Sequence, residues 1–169
     1  LSPRVRDVIT YSREEALRLG HNYIGVEHFM LGILREGEGT AIQLLKKCGV
    51  DLIDLRRVLE SSIESTAHVK EGNAEKLPLV KQAEKILKVT YLEAKVHKSN
   101  LIGTDHLLLS ILKDDSNIAT RQLHNLGVDY HKVNDLMEPS QTQNPDIRAE
   151  LPNEPEDDDE MSGGNMGSG

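Results

Sequence analysis

The chain has 169 residues, 20 of them Lys or Arg and 28 Asp or Glu, and aromatic residues make up 3%, so there is room for one domain of usual size plus a tail. Positive and negative side chains balance through Met137, and the whole net charge of -8 belongs to residues 138–169. With no basic excess and few rings for base stacking, neither part suits nucleic acid; no apolar run approaches a membrane span and no signal-peptide pattern opens the chain, which predicts a soluble cytoplasmic protein without a membrane partner.

A first helix is predicted from Ser2-Pro3, a capping hydroxyl followed by a proline whose φ is already helical. Val5, Val8, Ile9, Ser12, Ala16 and Leu19 form one face of it, and Gly20 ends it. After a linker over 21–26, a second helix from 27 to about 35 is apolar nearly all round (Phe29, Met30, Leu31, Ile33, Leu34), the pattern of a buried centre. Glycines 37 and 39 break the chain, and a third helix near 41–48 turns Ala41, Leu44, Leu45 and Cys48 to one side. Cys48 is the only cysteine; it has no partner for an internal disulfide and is expected to be a small core residue in a reducing compartment. Gly49 ends this helix, and Asp51 with Asp54 opens a fourth that carries Leu52, Leu55, Val58 and Leu59 inward.

A polar linker follows over about 64–76, and the plan then recurs. Ala83, Ile86, Leu87, Thr90 and Ala94 come first, then Leu107 to Leu112, then Ala119 and Leu123, then Tyr130, Val133 and Leu136. No segment shows sustained strand alternation. Residues 138–169 are Pro, Gln, Asn, acids and small residues; they cannot bury enough apolar surface to order themselves and are predicted to be a flexible acidic linker.

Residues 1–59 and 79–137 overlay at a constant offset of 78 without a gap, with fifteen identities that include Glu15/Glu93, Gly25/Gly103, His28/His106 and Gly49/Gly127. A random overlay of this length would give roughly four. The expected fold is all-α: a pseudo-two-fold tandem repeat of two four-helix units, eight helices in one domain over 1–137 (repeat 1 about 1–64, repeat 2 about 77–137), followed by a disordered acidic tail. Two copies are too few for a solenoid, and two equivalent surfaces suggest a binding module, monomeric as a fragment.

The string Glu14-Glu15-Ala16-Leu17-Arg18-Leu19-Gly20-His21-Asn22-Tyr23-Ile24-Gly25-Val26-Glu27-His28, followed by Leu31-Gly32-Ile33-Leu34-Arg35-Glu36-Gly37-Glu38-Gly39, closely resembles the Clp repeat of bacterial Hsp100 unfoldases, most nearly of the ClpC type. Asn100-Leu101-Ile102-Gly103-Thr104-Asp105-His106-Leu107-Leu108-Leu109 is a more diverged copy. The resemblance implies the N-terminal domain of an AAA+ ATPase that receives substrate and adaptor proteins and feeds a ClpP-type peptidase, the parent being hexameric. It makes the acidic tail a linker to an ATPase module beyond this chain. The P-loop pattern Gly-x-x-x-x-Gly-Lys-Ser/Thr occurs nowhere, so the chain alone is expected to be no enzyme and to carry no cofactor, ATP and Mg belonging to the ATPase modules. A free-standing double-repeat accessory protein that binds the protease core or sequesters marked substrates is the alternative; the acidic linker favours the first. A helical metal-dependent hydrolase lacks a convergent set of acid, base and ligand.

The loop before each second helix is the sharpest local feature. Gly25 gives a tight entry, the first amides of the helix have no intrahelical partner, and Glu27 offers a carboxylate for a guanidinium. Glu27 equally suits a purely structural role at the positive end of the helix dipole. The family resemblance implies phosphoarginine as a ligand of such domains, held in repeat 1 by Gly25, Val26 and Glu27, with Ser2 and Arg4 completing the phosphate contact. Gly103, Thr104 and Asp105 are the repeat 2 counterparts. Val26 stands where the family usually has threonine, and Val80 and Gln82 stand where it has Thr and Arg, so repeat 1 is expected to be the stronger site and repeat 2 the weaker.

His21 and His28 lie close in sequence, but no Cys or carboxylate pattern completes a zinc set, and no metal is expected. His28 and His106 share a repeat position and are expected to pack against the loop with one ring nitrogen hydrogen-bonded. His97 replaces Leu19 on the inner face of the first helix. Adaptors are expected to dock at the seam between the repeats.

Overall fold

The computed structural model describes residues 1–64 and 77–137. The acidic tail and, after its first residue, the expected linker between the repeats lie outside these. Among the described residues there are eight helices and no strand. They are α1 (Pro3–Arg18), α2 (Val26–Glu36), α3 (Thr40–Lys47), α4 (Leu52–Glu64), α5 (Lys81–Val96), α6 (Thr104–Lys113), α7 (Ile118–Asn125) and α8 (Tyr130–Met137). The chain divides into one compact unit, Leu1–Val133, and a second from Asn134 onward; everything below concerns the first. No helix among the described residues is long and apolar enough to cross a membrane.

Local chemistry accounts for the helix ends. Ser2 accepts the Val5 amide on its hydroxyl at 3.2 Å and Pro3 opens α1, as its side chain and fixed φ allow. Asp51 accepts the Asp54 amide at 3.1 Å at the head of α4. Gly20 ends α1 with φ 80, a left-handed conformation cheap only without a Cβ, yet Lys98 occupies the equivalent position with φ 54. Lys98→Gly should therefore raise stability by about 1 kcal/mol in urea unfolding. A loss would mean that the lysine stem contributes more than the strain it carries.

The two repeats share one core, with α2 and α6 at its centre. Phe29, Met30, Leu31, Ile33, Leu107, Leu108, Leu109 and Ile111 are all fully buried. Burial of an apolar side chain is worth about 1.5–3 kcal/mol, so these two helices hold much of the stabilising surface. Val5, Val8 and Ala16 join them from α1, and Ala83, Ile86 and Ala94 from α5. Ile9 and Leu19 are only half-buried, and Cys48 corrects expectation: it is the C-cap of α3 and half-buried, with burial pushing its thiol above the usual value.

Two charged residues in the core complete the pattern. Glu15 and its counterpart Glu93 are both buried. Glu15 receives Arg18 at 2.7 Å, Arg56 at 3.3 Å and Arg35 at 3.4 Å, tying α1 to α2 and α4. Burial alone would raise its pKa, but the guanidinium hydrogen bonds and charges outweigh it and hold the carboxyl below its ordinary range. Glu93 receives Lys113 at 3.0 Å and the Tyr130 hydroxyl at 2.8 Å.

The repeats are stitched by an exchange of their leading residues. The Ser2 amide donates to the Ile102 carbonyl at 2.9 Å, and its equivalent, the Val80 amide, donates to the Ile24 carbonyl at 3.0 Å. Ile24 returns a bond to Pro78 at 2.8 Å, which makes the isolated parallel bridge between Ile24 and Leu79. The start of each repeat thus lies against the loop of the other.

Candidate ligand site where the repeats cross

This exchange decides which candidate residues meet. A cavity of about 690 Å³ opens beside the first turn of α6 and is lined by Ser2, Arg4, Asp7, Thr40, Gly103, Thr104, Asp105 and His106, among others. Ser2 and Arg4 therefore join Gly103, Thr104 and Asp105 of repeat 2. They do not join Gly25, Val26 and Glu27, none of which lines this cavity. The grouping expected from sequence is corrected: alignment of the copies shows which residues are equivalent, whereas the crossing shows which are adjacent.

The polar groups have defined partners. Arg4 pairs with Glu36 and lies 3.5 Å from Glu38, and its own side chain is half exposed, 51%. Glu36 accepts the Glu38 and Gly39 amides at 3.0 and 2.8 Å. Burial would lift its pKa, but these amides and Arg4 hold it below the ordinary range. In the other repeat Gln82 donates to Asp114 and to Ser116, both at 2.9 Å. Gln82 thus makes the latch that Arg4 makes, because the acceptor positions changed with it. Glu36 and Asp114 were missed in the sequence, although they stand 78 residues apart at the end of each repeat's second helix.

The threonine difference also has a structural account. Thr104 is buried and its hydroxyl accepts the Ala41 amide at 3.0 Å, capping α3, whose own N-cap is Gly39. Val26, the counterpart of Thr104, is fully buried and caps nothing. In compensation the counterpart of Gly39 is Asn117, which accepts the Thr120 amide at 2.7 Å and caps α7 itself. Asp105 accepts the His106 amide at 2.9 Å. The Thr104 and Asp105 amides have no partner among the described residues, as expected for the first turn of a helix. Glu27 is half-buried and receives the Tyr23 hydroxyl at 3.3 Å.

The histidines hold the loops. The Gly25 amide donates to His28 Nδ1 at 2.9 Å and the Gly103 amide to His106 Nδ1 at 3.0 Å. Nδ1 of His28 being an acceptor, its proton sits on Nε2, which donates to His21 Nδ1 at 2.7 Å. The His21 proton is then on Nε2, a buried atom without a hydrogen-bond partner. An added proton has no acceptor to meet, and burial with the neighbouring His21 lowers the His28 pKa to about 3. Burial likewise lowers His106, against the pull of Asp105. No group of three or more His, Cys, Asp or Glu among the described residues is placed to hold a metal ion.

Residues 1–146 match the family described as the Clp repeat (R) N-terminal domain. The chain is 42% identical over 127 residues to the ATP-dependent Clp protease ATP-binding subunit ClpA homolog of Cyanidium caldarium, covering 75% of this chain and 14% of that protein. It is 35% identical over 130 residues to the negative regulator of genetic competence ClpC/MecB of Bacillus subtilis (strain 168), covering 77% and 16%. The chain thus spans only about a seventh of the length of these relatives. Among solved structures, the N-terminal domain of the chaperone ClpD from Arabidopsis thaliana shares the fold at 17% identity with a TM-score of 0.64, over 82% of this chain and 94% of that one. The Hsp104 N-terminal domain from Candida albicans does so at 14% identity with a TM-score of 0.68, over 84% and 91%. With the duplicated loops, the crossing and the matched family over 146 residues, the chain belongs to the Clp repeat N-terminal domains of the Clp/Hsp100 ATPases.

Proposed function

We propose that this domain receives substrate and adaptor proteins for an ATP-dependent Clp unfoldase that hands them to a ClpP-type peptidase. ATP hydrolysis then belongs to modules of the parent protein. The observation that carries the binding role is the cavity at the crossing, which puts a guanidinium (Arg4), a carboxylate (Asp105) and two helix-start amides around one space. Such a set suits a ligand bearing an anion beside a cation, and phosphoarginine, with a phosphoryl group on a guanidinium, is the ligand we assign to it. Asp105 takes the guanidinium; the Thr104 and Asp105 amides and Arg4 take the phosphoryl oxygens.

NMR titration of the chain with phosphoarginine, free arginine and inorganic phosphate tests this. Phosphoarginine should shift the amides of residues 103–106 and of the first turn of α1, with the two partial ligands weaker. Asp105→Ala removes a charge-assisted hydrogen bond of about 1.5–3 kcal/mol, or about ten- to more than a hundredfold in affinity. Glu27→Ala should cost less, because its loop lies against Leu79 and Val80 rather than Ser2 and Arg4. This order is the reverse of the one expected from sequence, and a larger loss at Glu27 would refute it. No binding by the unmodified chain would leave protein docking as the surviving role.

A further inference from the structure

The outer faces of α1 and α5 are equivalent by the repeat and opposite in character. On α1 the Arg35 guanidinium lies over the Tyr11 ring at 4.5 Å and pairs with Glu14 at 2.7 Å, closing the cleft between α1 and α2. In repeat 2 the three counterparts are Val89, Leu92 and Lys113, and Lys113 turns instead to Glu93 and the Tyr130 ring. The cleft is left open as a groove of about 340 Å³ with Ile86, Val89 and Leu92 of α5 along one side and Lys113, Asp114 and Asp115 from the end of α6 on the other. Beside it Tyr91, Leu92 and Val96 are 48%, 58% and 68% exposed. On the same side of α5, Lys81, Lys85, Lys88 and Lys95 are exposed and have no ion pair among the described residues, with Glu84 the only exposed acid on that helix.

We propose that this face of α5, with the groove beside it, docks an acidic amphipathic helix of a partner protein. A helix carrying carboxylates along the α5 side of an apolar stripe, and uncharged toward Asp114 and Asp115, meets the chemistry of this surface. Its apolar side chains cover Leu92 and Val96 and enter the groove, and its carboxylates neutralise the lysines, which repel one another and any basic partner. The groove favours a side-chain anchor over a flat anionic surface. This cavity shares no residue with the one at the repeat crossing, so the two sites stand or fall separately.

Fluorescence anisotropy of the full 169-residue chain with a labelled synthetic helix of about 20 residues, with a Leu stripe edged on one side by Glu and on the other by Gln, tests the proposal. A second peptide with Lys in place of Glu is the control. The acidic peptide should bind, more weakly as salt rises, and should shift NMR signals of α5 and the end of α6. Leu92→Asp and the double variant Lys88→Glu/Lys95→Glu, both at exposed positions, should each weaken binding at least tenfold, while Asp105→Ala should leave it unchanged. No binding, equal binding of the basic peptide, or insensitivity to both variants would overturn the proposal. So would capture by phosphatidylserine vesicles without peptide binding, which would assign the face to a membrane.

Discussion

His28→Ala should destabilise the domain by about 3–5 kcal/mol in urea unfolding. The imidazole is fully buried, so its removal leaves a cavity. It also strands the Gly25 amide and the His21 Nδ1 that it now satisfies. His28→Asn should recover part of the loss, because an amide oxygen at this position can accept the Gly25 proton. A cost below about 1 kcal/mol for the alanine would show that the loop closes without the ring.

The same geometry sets an acid response. The native His28 takes up a proton only near pH 3, whereas the unfolded chain does so near its ordinary value of 6.5. A depressed native pKa means that this contribution is fully present above about pH 6.5 and lost as pH falls toward about 3, by up to about 1.4 kcal/mol per pH unit. His21 and His106 are lowered by burial in the same direction and steepen the decline. Glu15, Glu36 and Asp114 are also depressed, so their share persists until the pH drops below the usual carboxylate range. Thermal melts between pH 7 and 5 should show Tm falling with acid, and His28→Asn should flatten the slope. A pH-independent Tm over that window would contradict the buried neutral pair.

The helices and their ends were legible in the sequence because each had a local cause. The Ser2-Pro3 cap, the stops at Gly20 and Gly49 and the all-apolar second helix need no tertiary information. The repeat was legible as well, and with it the equivalence of Glu27 and Asp105. The adjacency of Ser2 and Arg4 to Asp105 was not, because it depends on one backbone exchange, Ser2 with Ile102 and Val80 with Ile24, that no periodicity encodes. A signal for it existed in the paired changes: Arg4 with Glu36 and Glu38 in one copy, Gln82 with Asp114 and Ser116 in the other. Glu15 and Glu93 were passed over because charged residues default to the surface; of the three arginines on Glu15 only Arg18 stands one helical turn away, whereas Arg35 and Arg56 reach it from α2 and α4. The loss of a hydroxyl at Val26 concerned a helix cap, and the compensating Asn117 stood in plain view at the equivalent N-cap.

Gly32→Ala should lower stability by about 2 kcal/mol and Tm by roughly 5–10 °C, although glycine to alanine at an exposed helix site gains about 1 kcal/mol. A Cβ at residue 32 would lie 2.6 Å from the Val8 carbonyl oxygen and 2.5 Å from the Ser12 hydroxyl. The backbone oxygen cannot yield, because the Ser12 hydroxyl already donates to it at 2.7 Å from within the same helix. Relief therefore requires α1 and α2 to move apart, and that also stretches the Glu15 bond to Arg35. The other repeat supplies the control: Ser110 occupies the equivalent position, and its hydroxyl donates to the Ile86 carbonyl at 2.6 Å, so a side chain fits there. Ser110→Ala should cost only the hydrogen bond, about 1 kcal/mol. Stabilisation by Gly32→Ala would mean that the first pair of helices has slack, and the close contact would then not be what separates the tight repeat from the open one.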